Sequence, residues 1–146
     1  MNMKLVQIKQ DGTSDVDSFL SDLGKEVAKA NFENYKKSGF KKPWCAYFAL
    51  VDNTVVGSCA FKSPIQDGAV EIAYFTFPEF EGKGYATQMA SALIEIAESS
   101  GESVRIKAQT LPQENISTKI LHKLGFKKTG SVIHPEDGEV WDWELI

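Results

Sequence analysis

Two cysteines and two histidines in 146 residues leave little room for several kinds of chemistry. A nucleophilic cysteine needs a histidine nearby, and with His122 and His134 the only histidines, the sequence gives no sign of such a pair. No cluster with metal-ligand spacing is visible, so no metal is expected. Cys45 and Cys59 fall on neighbouring expected strands and read as free, half-buried thiols, because nothing in the start MNMKLVQIKQ has the apolar core of a secretion signal. Long apolar runs are missing too. None approaches the roughly 20 residues that cross a bilayer, so a cytoplasmic protein with no membrane partner is expected. Positive charge is also short: 16 Lys and Arg against 20 Asp and Glu give a net charge of −4. That balance argues against nucleic acid as the main partner and is compatible with an amine-bearing one.

What is present suits one well-buried core. A 42% hydrophobic content over this length predicts a single domain spanning residues 1–146. Met3 to Ile8 alternates and predicts a first strand. Ser14 and Asp17 approximate a capping box, and Val16, Phe19, Leu20, Leu23, Val27 and Ala30 then recur at helical spacing as far as Gly39. Gly24 interrupts that pattern and predicts a bend. Trp44 to Val51 and Thr54 to Lys62 form an antiparallel hairpin about Asp52-Asn53. Val70 to Phe77 is the third strand of this run, stopped by Pro78.

A loop, Glu79 to Gly84, then hands over to a helix whose Ala86, Met89, Ala90, Leu93 and Ala97 share one face. Ser99-Ser100-Gly101 stops that helix, and Val104 to Gln109 alternates as a strand parallel to the one before it, completing a βαβ unit. A second helix, Asn115 to Leu124, presents Ile116, Ile120, Leu121 and Leu124 as its expected buried stripe and ends at Gly125. Phe126 to Val132 and Glu139 to Leu145 make a final hairpin about Pro135-Glu136-Asp137-Gly138.

Gly82 and Gly84, at the handover from strand to helix, leave backbone amides free to point at an anion. A dinucleotide fold would put such a turn after the first strand, and a nucleoside-triphosphate loop would end in Gly-Lys-Ser/Thr. Neither pattern matches. Instead Pro78-Glu79-Phe80-Glu81-Gly82-Lys83-Gly84-Tyr85-Ala86-Thr87, followed by Asn115-Ile116-Ser117-Thr118-Lys119-Ile120-Leu121-His122-Lys123-Leu124-Gly125-Phe126, resembles the GNAT superfamily of acetyl-CoA-dependent N-acetyltransferases. Within it the chain looks closest to the ribosomal-protein N-terminal acetyltransferase-like subgroup, through Glu71-Ile72-Ala73-Tyr74 and the Asn/Ser/Thr-rich helix start. The resemblance runs from Trp44 to Leu145, and the first forty residues match only in element order.

The resemblance implies an α/β fold of GNAT type: a mixed, mostly antiparallel sheet of six to seven strands, helices on both faces and one central βαβ unit. It implies acetyl-CoA as co-substrate, held by the backbone of Gly82, Lys83, Gly84, Tyr85, Ala86 and Thr87 at the pyrophosphate, and by Phe75, Thr76, Phe77 and Asn115 along the pantetheine arm. It also implies acetyl transfer to a primary amine of a small molecule or a protein N-terminus by direct attack in a ternary complex. A homodimer is compatible with this, and a non-catalytic CoA or acyl-CoA sensor is the alternative.

Glu71 is the candidate general base. It shares a strand face with Ala73, Phe75 and Phe77, where a carboxylate among apolar neighbours would hold a proton more tightly; the competing reading turns it to solvent. Ser117 or water would protonate the departing thiolate, since the family's tyrosine position is Leu121 here. Asn115 reads equally as a helix N-cap. Glu81 stands where the family motif has Gln or Arg, and Lys83 offsets part of its charge. His122 reads as a solvated surface residue. His134, Trp141 and Trp143 are expected to wall the acceptor cleft, with at least one tryptophan in the core.

Overall fold

A computed structural model describes residues 3–145, so Met1, Asn2 and Ile146 lie outside it. Seven strands form one sheet in the order β1-β2-β3-β4-β5-β7-β6. They are β1 (Met3–Gln7), β2 (Ala46–Val51), β3 (Thr54–Phe61), β4 (Ala69–Thr76), β5 (Arg105–Thr110), β6 (Phe126–His134) and β7 (Gly138–Leu145). Every neighbouring pair is antiparallel except β4 and β5. The helices are α1 (Asp22–Ser38), α2 (Tyr85–Ser99) and α3 (Ile116–Lys123). No described helix is long and apolar enough to cross a membrane.

The central strands are apolar on both alternations, so they need cover on both sheet faces. Nearly all of β2 and β3 is buried. On one face α2 packs its expected stripe, with Tyr85, Met89, Ala90, Leu93 and Ala97 all buried. The fit there depends on Gly57. A Cβ at that position would collide with the Phe75 carbonyl oxygen and lie 3.2 Å from Cε of Met89, so only glycine lets β3 pass beneath β4 and α2. The opposite face is covered by α1, whose Tyr35 reaches into the sheet, donating to Ile8 O at 2.8 Å and accepting from Ala46 N–H at 2.9 Å. Cys45 and Cys59 are fully buried free thiols, and burial pushes both above the ordinary thiol range.

Local expectations fail where a short-range signal competes with packing. Ser14 and Asp17 do bond, through Ser14 Oγ to Asp17 Oδ1 at 2.9 Å, but they brace only a one-turn 3-10 helix, Asp17–Phe19. The helix proper starts at Asp22, with Ser21 Oγ accepting from Gly24 N–H at 3.1 Å. Gly24 therefore lies in the first turn, where its flexibility costs little, and the expected bend is the break between these two segments. Phe19 and Ala30, read as parts of one stripe, are exposed. Ile116 is likewise 76% exposed, because the first turn of α3 borders an open cleft beside the glycine loop.

Candidate active site

The site is built where β4 and β5 part. Their parallel pairing covers Ala69 with Arg105, Val70 with Ile106 and Glu71 with Lys107, and no further residues, although β4 continues to Thr76 and β5 to Thr110. Two clefts occupy this region. One, of about 420 Å³, runs from the parted edge of β4 along the glycine loop and the first turn of α2 to α3. The other, of about 120 Å³, fills the opening between the strands. Tyr74 and Ser117 line both, so the two adjoin there.

The larger cleft has an anion-binding end. Gly82 and Gly84 have φ of 81° and 80°, a region that suits glycine. A Cβ on either would meet nothing within 4 Å, so the backbone lies open to a ligand. The first intrahelical bond of α2 is Gln88 N–H to Gly84 O at 3.2 Å, which leaves the amides of Tyr85, Ala86 and Thr87 ahead of it. Gly84, as N-cap, offers no side chain to satisfy them, and the first turn carries no acidic residue. Bare amides and the positive end of the helix dipole are what a pyrophosphate needs. Glu81, Gly82, Gly84, Tyr85, Ala86 and Thr87 line this end of the cleft. Lys83, included in the expected set, is exposed and outside the lining.

Strand parity decides which groups of β4 face the opening. Phe77 N–H donates to Val56 O and Lys62 N–H to Glu71 O, both at 2.9 Å. Odd-numbered residues of β4 thus direct their backbone toward β3, and even-numbered ones toward β5. Of the expected trio Phe75, Thr76 and Phe77, only Thr76 presents backbone groups to the opening. Phe77 is buried, with its N–H engaged by Val56, and the Phe75 ring, 44% exposed, contributes to the cleft as apolar wall. Tyr74 is the residue that sequence reasoning missed. It has the same parity as Thr76 and carries a hydroxyl; burial pushes its phenol up to about 12, so it is a protonated hydrogen-bond donor. No local pattern says which parity faces the opening, so the sequence carried no signal for it.

The expected side chains divide similarly. Ser117, in the first turn of α3, stands at the junction of the two clefts. Asn115 caps α3: its Oδ1 accepts from Thr118 N–H at 3.0 Å, while Thr118 Oγ1 accepts from Asn115 N–H at 2.9 Å. It does not line either cleft. Glu71 occupies the last paired position before the strands part, but its surroundings differ from the apolar ones expected. It is half-buried and ion-paired with Lys62 of the segment after β3. Leu121 is fully buried, so no side chain there reaches the clefts.

Trp143 is core, with Nε1 donating to Thr110 Oγ1 at 2.9 Å and His122 edge-on at 5.0 Å. Lys128 Nζ lies 3.7 Å from the Trp141 ring centroid, and His134 Nδ1 accepts from the Glu136 and Asp137 amides at the hairpin turn. None of Trp141, Trp143 and His134 lines either cleft.

The sequence profile of the acetyltransferase (GNAT) domain matches residues 8–127. The chain belongs to the GNAT family. Among curated relatives, an uncharacterised N-acetyltransferase p20 of Bacillus licheniformis is 35% identical over 77 residues, which are 52% of this chain and 43% of the relative. The chain spans about half the length of the curated relatives it matches. Two solved structures share the fold. The ribosomal L7/L12 α-N-protein acetyltransferase RimL in complex with coenzyme A aligns at TM-score 0.72 and 14% identity, over 100% of this chain and 94% of that one. The aminoglycoside enzyme AAC(6′)-Ib in complex with ribostamycin and coenzyme A aligns at 0.60 and 22%, over 69% and 63%.

Proposed function

We propose that this protein is an acetyl-CoA-dependent N-acetyltransferase acting on a primary amine by direct attack in a ternary complex. The observation that carries the reading is an anion-binding cleft adjoining an opening in the sheet, with Tyr74 and Ser117 bordering both. Acetyl-CoA supplies an acetyl thioester: the amine nitrogen bonds to the acetyl carbon, the carbon–sulfur bond breaks, and the sulfur leaves as a thiolate that takes up a proton.

The chain's own residues have distinct parts in this. The amides of Gly82 to Thr87 hold the pyrophosphate, and the backbone edge of Tyr74 and Thr76 takes the pantetheine arm as an added strand. Their N–H groups are also the donors nearest the opening for a carbonyl oxygen that gains charge. Glu71 accepts the proton of the incoming ammonium, directly or through water. Ser117 donates to the sulfur side of the junction, with Tyr74 as a second hydroxyl. Asn115 acts by fixing the start of α3 and thereby the position of Ser117.

The test is CoA release from acetyl-CoA across a panel of amines, for wild type and Glu71→Gln, beside a thermal melt with and without CoA. Glu71→Gln should lower kcat/KM by about 10²- to 10⁴-fold, while the rise in Tm with millimolar CoA persists. A Tm rise with no turnover of any amine would instead identify a CoA-binding module. No Tm rise at all would overturn the cleft assignment.

A further inference from the structure

The charges around the opening define what kind of amine it admits. Lys62 is the one charged residue in its lining; Tyr74, Gln109 and Ser117 are its polar neutral members. Glu71 stands at the rim, paired with Lys62 on one side and opposite Lys107 on the other. The two carboxylates beyond it on β7 already have partners. Asp142 accepts from Gln109 Nε2 at 2.9 Å, and Glu144 lies 3.6 Å from Arg105 and directly opposite Lys107. The ladders place Glu71, Asp142 and Glu144 on one sheet face with Lys62, Arg105, Lys107 and Lys127, so this face has no surplus of carboxylate.

A polyamine or aminoglycoside would bring several positive charges to a rim whose nearest fixed charges include Lys62 and Lys107. Even a single ammonium that displaced Lys62 from Glu71 would leave that lysine uncompensated beside it. An acceptor that carries its own anion solves both problems. We infer that the acceptor is a small amino-carboxylate: its ammonium replaces Lys62 at Glu71, and its carboxylate takes the released Lys62 ammonium. The Lys62–Glu71 pair of the free protein then marks the two binding points of a zwitterion. Its side chains are 48% and 26% exposed, and although the paired Oε2 of Glu71 is buried, solvent reaches the pair from the lysine side. The cavity of about 120 Å³ suits a molecule the size of a free amino acid.

This inference rests on the transferase reading, and its test separates the two. With saturating acetyl-CoA, CoA release is measured for free amino acids, the matching amino-acid amides, a short peptide with an acidic first residue, and spermidine. Free amino acids should exceed their amides by at least tenfold in kcat/KM. Lys62→Glu should remove that preference and favour spermidine, while keeping the wild-type rise in Tm with CoA. Equal rates for acid and amide, or spermidine as best substrate of the wild type, would overturn the zwitterion but leave acetyl transfer standing. A peptide far better than every free amino acid would also overturn it, in favour of a protein N-terminus. No turnover of any amine would overturn both readings, and the CoA melt of the same sample would show whether the cofactor cleft survives.

Discussion

The glycine-loop cleft and the strand opening meet at Tyr74 and Ser117, yet they are made of different materials. The first is backbone: amides ahead of the first bond of α2, glycines in left-handed conformation, and the unpaired edge of β4. The second is side chain: Lys62, Tyr74, Gln109 and Ser117 in the lining, with Glu71 held beside them by its pair with Lys62, all but Ser117 placed by strand register. A site made of backbone tolerates many side chains and so leaves a motif. A site made of side chains depends on which residues the sheet brings together, and one changed residue alters what it accepts.

Gly57 supports both halves, and Gly57→Val should have the largest effect. Forcing a branched side chain against the Phe75 carbonyl and Met89 should cost about 3 kcal/mol. A thermal melt should record a fall in Tm of about 6–12 °C. If Tm held, the close approach of β3 to β4 would not be what fixes the strand edge.

Gly84→Val should break the backbone half alone. Holding valine at φ of 80° costs about 1–3 kcal/mol of strain, and isothermal titration should show CoA binding weakened by roughly ten- to a hundredfold. Ser117→Ala should do the reverse, lowering kcat by about tenfold with CoA affinity unchanged; an unaltered kcat would assign the thiolate's proton to water. The smallest effect is expected at Glu81, which faces the cleft where the phosphates would lie. Removing one charge at about 5 Å in water is worth about 1 kcal/mol, so Glu81→Gln should tighten CoA binding by a few-fold, and the gain should shrink in high salt.

The same division explains what could be read from the sequence. The order of strands and helices was legible from periodicity, because each element buries a single face and the turns carry glycine or Asp-Asn signals. The anion-binding loop was legible for the reason given above. Register and parity were not. Glu71 does lie at the parting of the strands, but its ion pair with Lys62 depends on the β3–β4 register, which no local pattern prints. Phe75 and Phe77 attract attention as large apolar residues, whereas parity gives the open edge to Tyr74 and Thr76. Ile116 fits a helical stripe, yet it lines the open cleft instead of the core. Ser14 and Asp17 form their local bond without starting a helix, since the long helix is capped by Ser21 instead.

The parting of β4 from β5 after Glu71 and Lys107 also leaves a signature in time. Along one strand, the amides of Phe75 and Phe77 point into the ladder with β3 while those of Tyr74 and Thr76 face an open edge. Amide hydrogen exchange across residues 73–77 should therefore alternate between slow and fast, residue by residue. A pantetheine arm laid along that edge would slow the fast positions and leave the slow ones as they were.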